Sequence, residues 1–595
     1  MTATIDQVSE KTFDYIIIGG GTSGLTLATR LSEDPALSIL ILEAGADNLN
    51  DPAILTPAAY GSHFGNPSYD WAFKTEPQAN VNGRSVPWPR GKGLGGSSAI
   101  NFFQYHLANK GDYDAIEKLG NPGWNWELFK KYQLKTETFI EPEVKDQSIN
   151  YDLAHHGNEG PLTVSHALTL SGLEKPFNDS LVKFGILPAP EPNTGTWLSP
   201  LTIHPKNRIR SYAANSYYTL ASSRQNLTVL TGAHVVRLES RKDGNLLTAT
   251  GVTFIYDKQT HLVKVGREVV LSSGAILDPQ ILELSGIGDK KLLEKHNIEV
   301  KLDLPGVGSN IQEHVFFTAT HEIREDKKEE VQTFDNLHDP VEREKQIALF
   351  QKEGKGLLGL AINIMAFVPL SQLSPDSDTI YTQLKKTVDE GIASGKYSSL
   401  QRKQYRLQLE ALKRGSPNCE IILVQGAPAI PGLAKPGKKY GAFYLLLNHP
   451  FSRGSIHIKS ADPIDYPAID PHYFEEEYDI HLLIELFKFS RRLAKTEPLQ
   501  SYLLDEVHPG PECQTDEQIA DFIKTYLVTT YHTIGSCSLL PLEDGGVVDT
   551  KLKVYNTTNI RVVDVSILPL HIGAHLQATA FTIGEIAADI IKGNV

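Results

Sequence analysis

The clearest hydrophobic pattern lies near the N-terminus. Phe13-Asp14-Tyr15-Ile16-Ile17-Ile18 is a short β-branched run with polar residues before it and glycines after it. It predicts a strand buried on both faces, as central parallel strands are. Leu25, Leu27, Ala28 and Leu31 follow at helical spacing, and Ser38-Ile39-Leu40-Ile41-Leu42-Glu43 predicts a second buried strand. A similar run, Glu268-Val269-Val270-Leu271, comes far along the chain. Helical patterns occupy Asp516 to Leu527, the stretch from Gln577 onward, and Ser398 to Arg414, where Leu400, Tyr405, Leu409 and Leu412 form an apolar stripe. Arg324 to Lys355 is charge-dense through Glu325, Asp326, Lys327, Lys328, Glu329 and Glu330. It reads as a solvated covering helix, with a partner surface as the alternative. No run approaches the roughly 18 apolar residues of a membrane span, and no internal repeat is visible.

Candidate chemistry begins where the first strand ends. Gly19-Gly20-Gly21-Thr22-Ser23-Gly24 joins strand to helix in the order a dinucleotide site demands. Gly19 makes the tight turn, Gly21 lets backbone approach a pyrophosphate, and Gly24 lets the helix pack close on the strand. The diphosphate then meets the helix N-terminus beside Thr22 and Ser23. Glu43 ends the second strand at the roughly 20-residue spacing of a ribose-hydroxyl acceptor. An acid there disfavours a 2′-phosphate, so NADP is the least favoured dinucleotide, and NAD and FAD stay open on this fingerprint.

Composition narrows the partners. The 595 residues carry 57 Lys+Arg against 71 Asp+Glu, a net charge of −14, which argues against nucleic-acid or anionic-membrane partners. Hydrophobic residues at 41% and charged residues at 22% are ordinary globular values. Cys419, Cys513 and Cys537 are far apart and lack ligand spacing, so no disulfide framework or metal site is legible. The first residues lack a basic n-region and an apolar h-region, and Lys592-Gly593-Asn594-Val595 is not a peroxisomal address. A cytoplasmic protein without membrane insertion is expected.

Further along, Pro89-Arg90-Gly91-Lys92-Gly93-Leu94-Gly95-Gly96-Ser97-Ser98-Ala99-Ile100-Asn101 forms a second close-approach loop with hydroxyl donors. Ser273-Gly274-Ala275-Ile276-Leu277-Asp278-Pro279-Gln280 gives a third. With Leu304-Pro305-Gly306-Val307-Gly308-Ser309-Asn310, Tyr531-His532-Thr533-Ile534-Gly535 and Asp564-Val565-Ser566-Ile567-Leu568-Pro569, these segments resemble the glucose–methanol–choline family of FAD oxidoreductases across essentially the whole chain. Asp278 departs from the Ser or Thr that usually precedes the proline, and Ser536 stands where Thr is commoner.

The resemblance implies an α/β plus α+β fold: a Rossmann-like, doubly wound FAD-binding lobe, and an antiparallel-sheet substrate lobe covered by helices. Residues 1–105, 230–320 and 530–595 are expected to form the FAD lobe from discontinuous segments, and 106–229 and 321–529 the substrate lobe. Flavin contacts carried over are Trp71, Arg90, Gly91, Gly95, Ser97, Asn101, Phe102, Val235, Asp564 and Gln577, beside Gly19, Gly21, Thr22, Ser23, Gly24 and Glu43. Members that attach flavin covalently carry His before the loop Asn; this chain has Ile100, so non-covalent FAD is expected.

The family's catalytic histidine falls on His532. Its second active-site residue falls on His575 in Ala574-His575-Leu576-Gln577, with His571 as the competing candidate. His532 is expected to take the hydroxyl proton, because an imidazole base works near neutrality, while His575 bonds the substrate oxygen. A helix starting near Gln577 would aim its N-terminus at the flavin and stabilise the anionic reduced form. Tyr531 and Phe103, with Phe102 and Tyr105, are candidate pocket aromatics, with core packing as the alternative. The expected reaction is oxidation of a CH–OH group, a primary alcohol foremost, with O₂ or a quinone-like acceptor reoxidising the flavin. The competing reading is a flavoprotein lyase or cyclase without net redox.

Overall fold

A computed structural model describes residues 2–141, 155–167, 169–189, 194–353 and 356–595. Two seven-stranded sheets organise it. In the first, the strands Leu227–Thr231, Ile39–Glu43, Thr12–Ile18 and Gln259–Leu271 run parallel in that order, with Ile560–Val562 parallel to the last. Leu246–Tyr256 and His234–Asp243 extend the sheet as an antiparallel meander. Ile39–Glu43 is buried at every position, as a central parallel strand flanked by helices must be. Helix Thr22–Leu31 follows the first glycine turn and packs against the C-terminal helix Gln577–Lys592.

The second sheet is antiparallel throughout. Its order is Leu503–His508, Val315–Ile323, Tyr440–Leu447, Pro417–Gln425, Ile364–Pro369, Gly195–Leu198, with Val528–Thr529 beside Val315–Ile323. Strand period two divides its side chains. Phe317, Ala319, Cys419, Ile421, Leu423, Phe443 and Leu445 face a core built with helix Tyr478–Ala494. Phe316, Ile422, Tyr444 and Leu446 share the opposite face, set by the pairing of Glu420 with Leu446, Ile422 with Tyr444 and Phe316 with Leu446. That face closes one side of the central cavity.

The segment boundaries read from sequence need correction. Tyr113, Phe129, Tyr132, Val164, Tyr212 and Tyr217 lie within 106–229, yet they pack into the first core. Helix Trp126–Thr136 is fastened to the C-terminal helix by Tyr132 donating to Asp589 Oδ2 at 2.8 Å. Strand Leu227–Thr231, which the boundary at 230 divides, belongs wholly to the first sheet. Conversely, Phe73 and Trp88 pack into the second core, and Val315–Ile323 is a second-sheet strand. Each shift has one cause: apolar faces in these stretches complete whichever sheet lies beside them in space, and sequence spacing does not encode that.

Two expected surface helices form in part. Within 324–355, Pro340–Glu353 is helical, without a fully buried residue. Ser399–Lys413 starts from a capping box made by Ser398 and Gln401. It buries Tyr405 and Leu409, but also Gln404 and Gln408, whose amides bind the carbonyls of Pro569 and Pro450 at 2.6 and 3.1 Å. Among the described residues no helix is long and apolar enough to cross a membrane.

Candidate active site

A cavity of about 300 Å³ runs from the first glycine turn to the inner face of the second sheet. At its first end, Gly19 has φ +100°, and a Cβ there would meet the Ser272 carbonyl oxygen at 2.4 Å. Only glycine fits that turn. Gly21 is different: its φ is −81°, and a Cβ would find nothing nearer than 3.9 Å. The protein's own packing therefore sets no need for glycine at 21. Gly21, Thr22 and Ser23 line the cavity at the N-terminus of helix Thr22–Leu31, where the open side of Gly21 leaves room for a close-approaching ligand.

Glu43 lines the same end. Its carboxylate accepts backbone N–H groups from Gly20 at 2.8 Å, Gly45 at 2.7 Å and Gly93 at 3.1 Å. A carboxylate offers about four acceptor positions, so three tie loops together and one is left for a ligand hydroxyl. Burial pushes Glu43 up and these N–H bonds oppose it. Val235 and His234 line the adjoining wall from strand His234–Asp243.

Midway, Asp70 positions the next loop by accepting from Gly65 N, Ala72 N and Arg90 N at 2.7, 2.9 and 2.8 Å. Trp71, Arg90, Gly91, Ser97, Asn101 and Phe102 all reach the cavity. Asp564 lines it opposite, accepting from Gly274 N and Ser566 N at 2.8 Å each. Asp278 lies behind, fully buried, accepting from Ser273 N at 2.8 Å. Burial first, and Asp564 next, hold Asp278 well above the usual carboxylate range. This is what the departure from Ser or Thr places in the fold.

Two expected cofactor contacts, Gly24 and Gly95, do not reach the cavity. Gly24 serves packing, since a Cβ would stand 2.1 Å from the Gly19 carbonyl oxygen. Gly95 serves chain direction at φ +95°, packed against the Tyr212 ring, with its N–H on Gly20 O at 2.8 Å. Tyr105 also turns away, buried, with its hydroxyl bonded to Thr136.

The far end holds the histidines. His532 and His575 both line the cavity, with ring centroids 4.9 Å apart. His532 Nδ1 is 3.0 Å from both His314 Nδ1 and Thr530 Oγ1. Burial is the main cause holding His532 well below the usual imidazole value, reinforced by His575, His571 and Arg90. Glu313 accepts from His532 N at 2.6 Å and from Thr533 Oγ1 at 2.5 Å, with Arg90 Nη2 at 3.7 Å. Burial pushes Glu313 up to about 7 against the Arg90 charge. His575 Nε2 lies 3.0 Å from Glu420 Oε1, a carboxylate 1% exposed on the second sheet. His571 is outside the cavity: its Nε2 bonds the His532 carbonyl at 2.9 Å and its ring stacks on His314 at 3.6 Å.

Around these imidazoles the lining is apolar. Tyr531 meets Phe64 at 5.1 Å and Phe102 at 6.3 Å, and Phe316 stacks on Tyr444 at 5.0 Å. Tyr531 and Phe103 hold left-handed backbone, φ +68° and +72°, a cost accepted mainly where side-chain direction matters. Helix Gln577–Lys592 begins at the cavity wall with no side-chain cap, leaving its first N–H groups for a ligand. Glu420, Glu313, His314, Phe316, Ile422, Tyr444 and Leu446 were not anticipated. Glu420 had one visible signal, a carboxylate within the otherwise apolar run Cys419 to Val424.

Comparison with known proteins decides the family. The GMC oxidoreductase N-terminal profile matches residues 13–316 and the C-terminal one residues 450–584. The chain belongs to the GMC oxidoreductase family. The "GMC oxidoreductase family protein Mala s 12" of Malassezia sympodialis is 35% identical over 605 residues, covering 98% of this chain and 93% of that protein. A solved FAD-dependent oxidoreductase from Chaetomium thermophilum superposes with TM-score 0.88 at 28% identity, covering 98% of this chain and 99% of that one. A fungal aryl-alcohol oxidase superposes with TM-score 0.85 at 29% identity, covering 97% and 98%. FAD is the cofactor of this GMC protein, and the residues fit it: the open glycine cradle at Gly21, the remaining acceptor on Glu43, and the uncapped helix at Gln577. Ile100, which precedes Asn101, is buried and carries no nucleophile.

Proposed function

We propose that this protein oxidises a CH–OH group, a primary alcohol of apolar or aromatic character, to the carbonyl, with O₂ or a quinone-like compound as the final acceptor. One observation carries the reading: His532 and His575 stand 4.9 Å apart on the cavity wall, one on neutral partners and the other on a buried carboxylate. FAD, when bound along the glycine turn, Glu43 and Asp564, supplies the acceptor for the hydride leaving the carbinol carbon.

The two imidazoles divide the remaining work. His532 is unprotonated near neutrality, because burial and neighbouring positive groups disfavour its cation. Nδ1–H donation to Thr530 or His314 leaves Nε2 as the base that takes the hydroxyl proton. His575 donates Nε2–H to Glu420, which fixes its tautomer and leaves Nδ1 for the substrate oxygen. Glu420 holds that ring against the cavity wall, beside the substrate hydroxyl whose proton His532 takes. Phe64, Phe102, Phe316, Tyr444 and Tyr531 exclude water and favour an apolar substituent. The aryl-alcohol oxidase likeness supports this substrate class.

The test is an anaerobic panel of aryl, allylic, short aliphatic and polyol alcohols mixed with the holoenzyme. The expected result is loss of the flavin's visible absorbance with aryl and allylic alcohols and stoichiometric aldehyde. Product formed while the flavin stays oxidised would contradict it and favour the redox-silent lyase reading. Peroxide release set against dye reduction then separates oxidase from dehydrogenase.

A further inference from the structure

Arg210 is fully buried, 0% exposed, in the first core. Its Nε donates to Ile54 O at 3.0 Å, and its Nη1 to Ser98 O at 3.3 Å and Asn101 Oδ1 at 2.8 Å, while Nη2 has no partner. Its Cζ lies 3.9 Å from the centroid of the Phe103 ring. The other buried arginines each face an acid: Arg453 has Asp479 and Glu476, and Arg561 has Glu268; the half-buried Arg90 has Glu313. Among the described residues the ionisable groups coupled to Arg210 are the Tyr212 phenol and the His63 imidazole, neither of them a carboxylate. Burial brings the guanidinium down to about 9, so it remains a cation at neutral pH. An uncompensated buried charge is costly by several kcal/mol, and removing a cation from water without a counter-charge makes sense only where a negative charge arrives from elsewhere.

The surroundings say where. Asn101 and Phe103, the two side chains that Arg210 holds, both line the cavity. Because Asn101 Oδ1 is taken by Arg210 and by Phe103 N at 3.1 Å, its amide must present Nδ2 to Gln577 Oε1, which it does. Gln577 is then fixed in turn, donating to Thr202 Oγ1 at 3.1 Å and Gln104 O at 3.3 Å. Gln577 opens the C-terminal helix two positions after His575. The buried cation and an uncapped helix N-terminus therefore lend positive potential to one end of the cavity, with the two amides locked between them.

We propose that Arg210 is a positioning and charge-compensating residue for bound FAD: it fixes the Asn101–Gln577 amide pair and offsets the negative charge that two-electron reduction brings to this end of the cavity. The proposal rests on the reading that the redox-active ring lies at the histidine end. A purely structural arginine would stiffen the loop without altering how readily the flavin accepts electrons.

The measurement is the midpoint potential of FAD in the intact holoenzyme, by equilibration with reference dyes, for wild type, Arg210→Lys and Arg210→Gln. Arg210→Gln is expected to disfavour the reduced form about tenfold, a potential about 30 mV lower, while Arg210→Lys, which keeps the charge, stays within about threefold of wild type. An unchanged potential in Arg210→Gln, or an equal fall in both variants, would overturn the charge role. Should Arg210→Gln yield no folded holoenzyme, Asn101→Asp places the missing counter-charge on the guanidinium with little change of volume. The same fall is expected there, and no fall overturns the proposal. The potential is read without any alcohol, so a failed alcohol panel with an intact Arg210 effect rejects the substrate reading alone.

Discussion

Glu420→Gln isolates the charge behind His575. The carboxylate lies 3.0 Å from His575 Nε2 and is almost fully buried, so water screens the pair little. After the hydration each group loses, hydrogen bonds to charged groups contribute a net of about 1.5–3 kcal/mol. Gln keeps the shape and still accepts from Nε2–H. Its new amide N–H₂ would oppose Asn448 Nδ2, now 3.2 Å from Glu420 Oε2, but the Asn448 amide can turn, because its Oδ1 has no partner. What is lost is the negative charge that holds the His575 imidazole through its Nε2–H beside the substrate. At 1.36 kcal/mol per tenfold, anaerobic stopped-flow reduction by a responsive alcohol should slow by about 10- to 150-fold, with FAD content and thermal midpoint close to wild type. A rate within twofold of wild type would refute the claim that this carboxylate acts through His575.

Gly21→Ala and Gly24→Ala should separate cofactor from scaffold. The first meets no protein atom nearer than 3.9 Å and should leave apoprotein stability within about 0.5 kcal/mol while weakening FAD binding, read by fluorescence titration. The second forces a Cβ to 2.1 Å from a carbonyl oxygen and should lower the apoprotein's thermal midpoint by an amount matching about 1–3 kcal/mol. Glu313, raised from 4.5 to about 7, keeps a proton in the folded state that the unfolded chain releases earlier. Its contribution therefore favours folding at low pH and is lost as pH rises through that window, by up to about 3 kcal/mol. Denaturation of Glu313→Gln across the same window should lack this slope; parallel curves would contradict the assignment. Acid precipitation should leave the yellow colour in the supernatant, whereas colour retained on the pellet would reveal a covalent flavin.

Local signals carried far. The run Tyr15 to Ile18, the glycine turn and Glu43 are contiguous, and each follows from what a buried strand, a tight turn and a helix N-terminus require. His532 and His575 were readable because flanking motifs place them, and both line the cavity. Glu420 and His314 were not, because their partners lie 155 and 218 residues away in sequence. Their meeting depends on strand register across the second sheet. The same holds for Phe316 and Tyr444, which in sequence are ordinary strand aromatics. Arg210 was missed for the opposite reason: arginine usually marks surface, and nothing local announces full burial. The segment boundaries slipped because aromatic faces at Tyr113, Phe129 and Tyr217 carry no label for the core they will join.

The central claim is that His532 takes a hydroxyl proton as the alcohol is oxidised at this cavity. Single-turnover anaerobic reduction of His532→Ala and wild-type holoenzymes by one aryl alcohol tests it most directly. A positioned general base contributes about 10²–10⁴-fold, and the variant's flavin reduction should slow by that factor while FAD binding is retained. Reduction by His532→Ala at the wild-type rate would contradict the account.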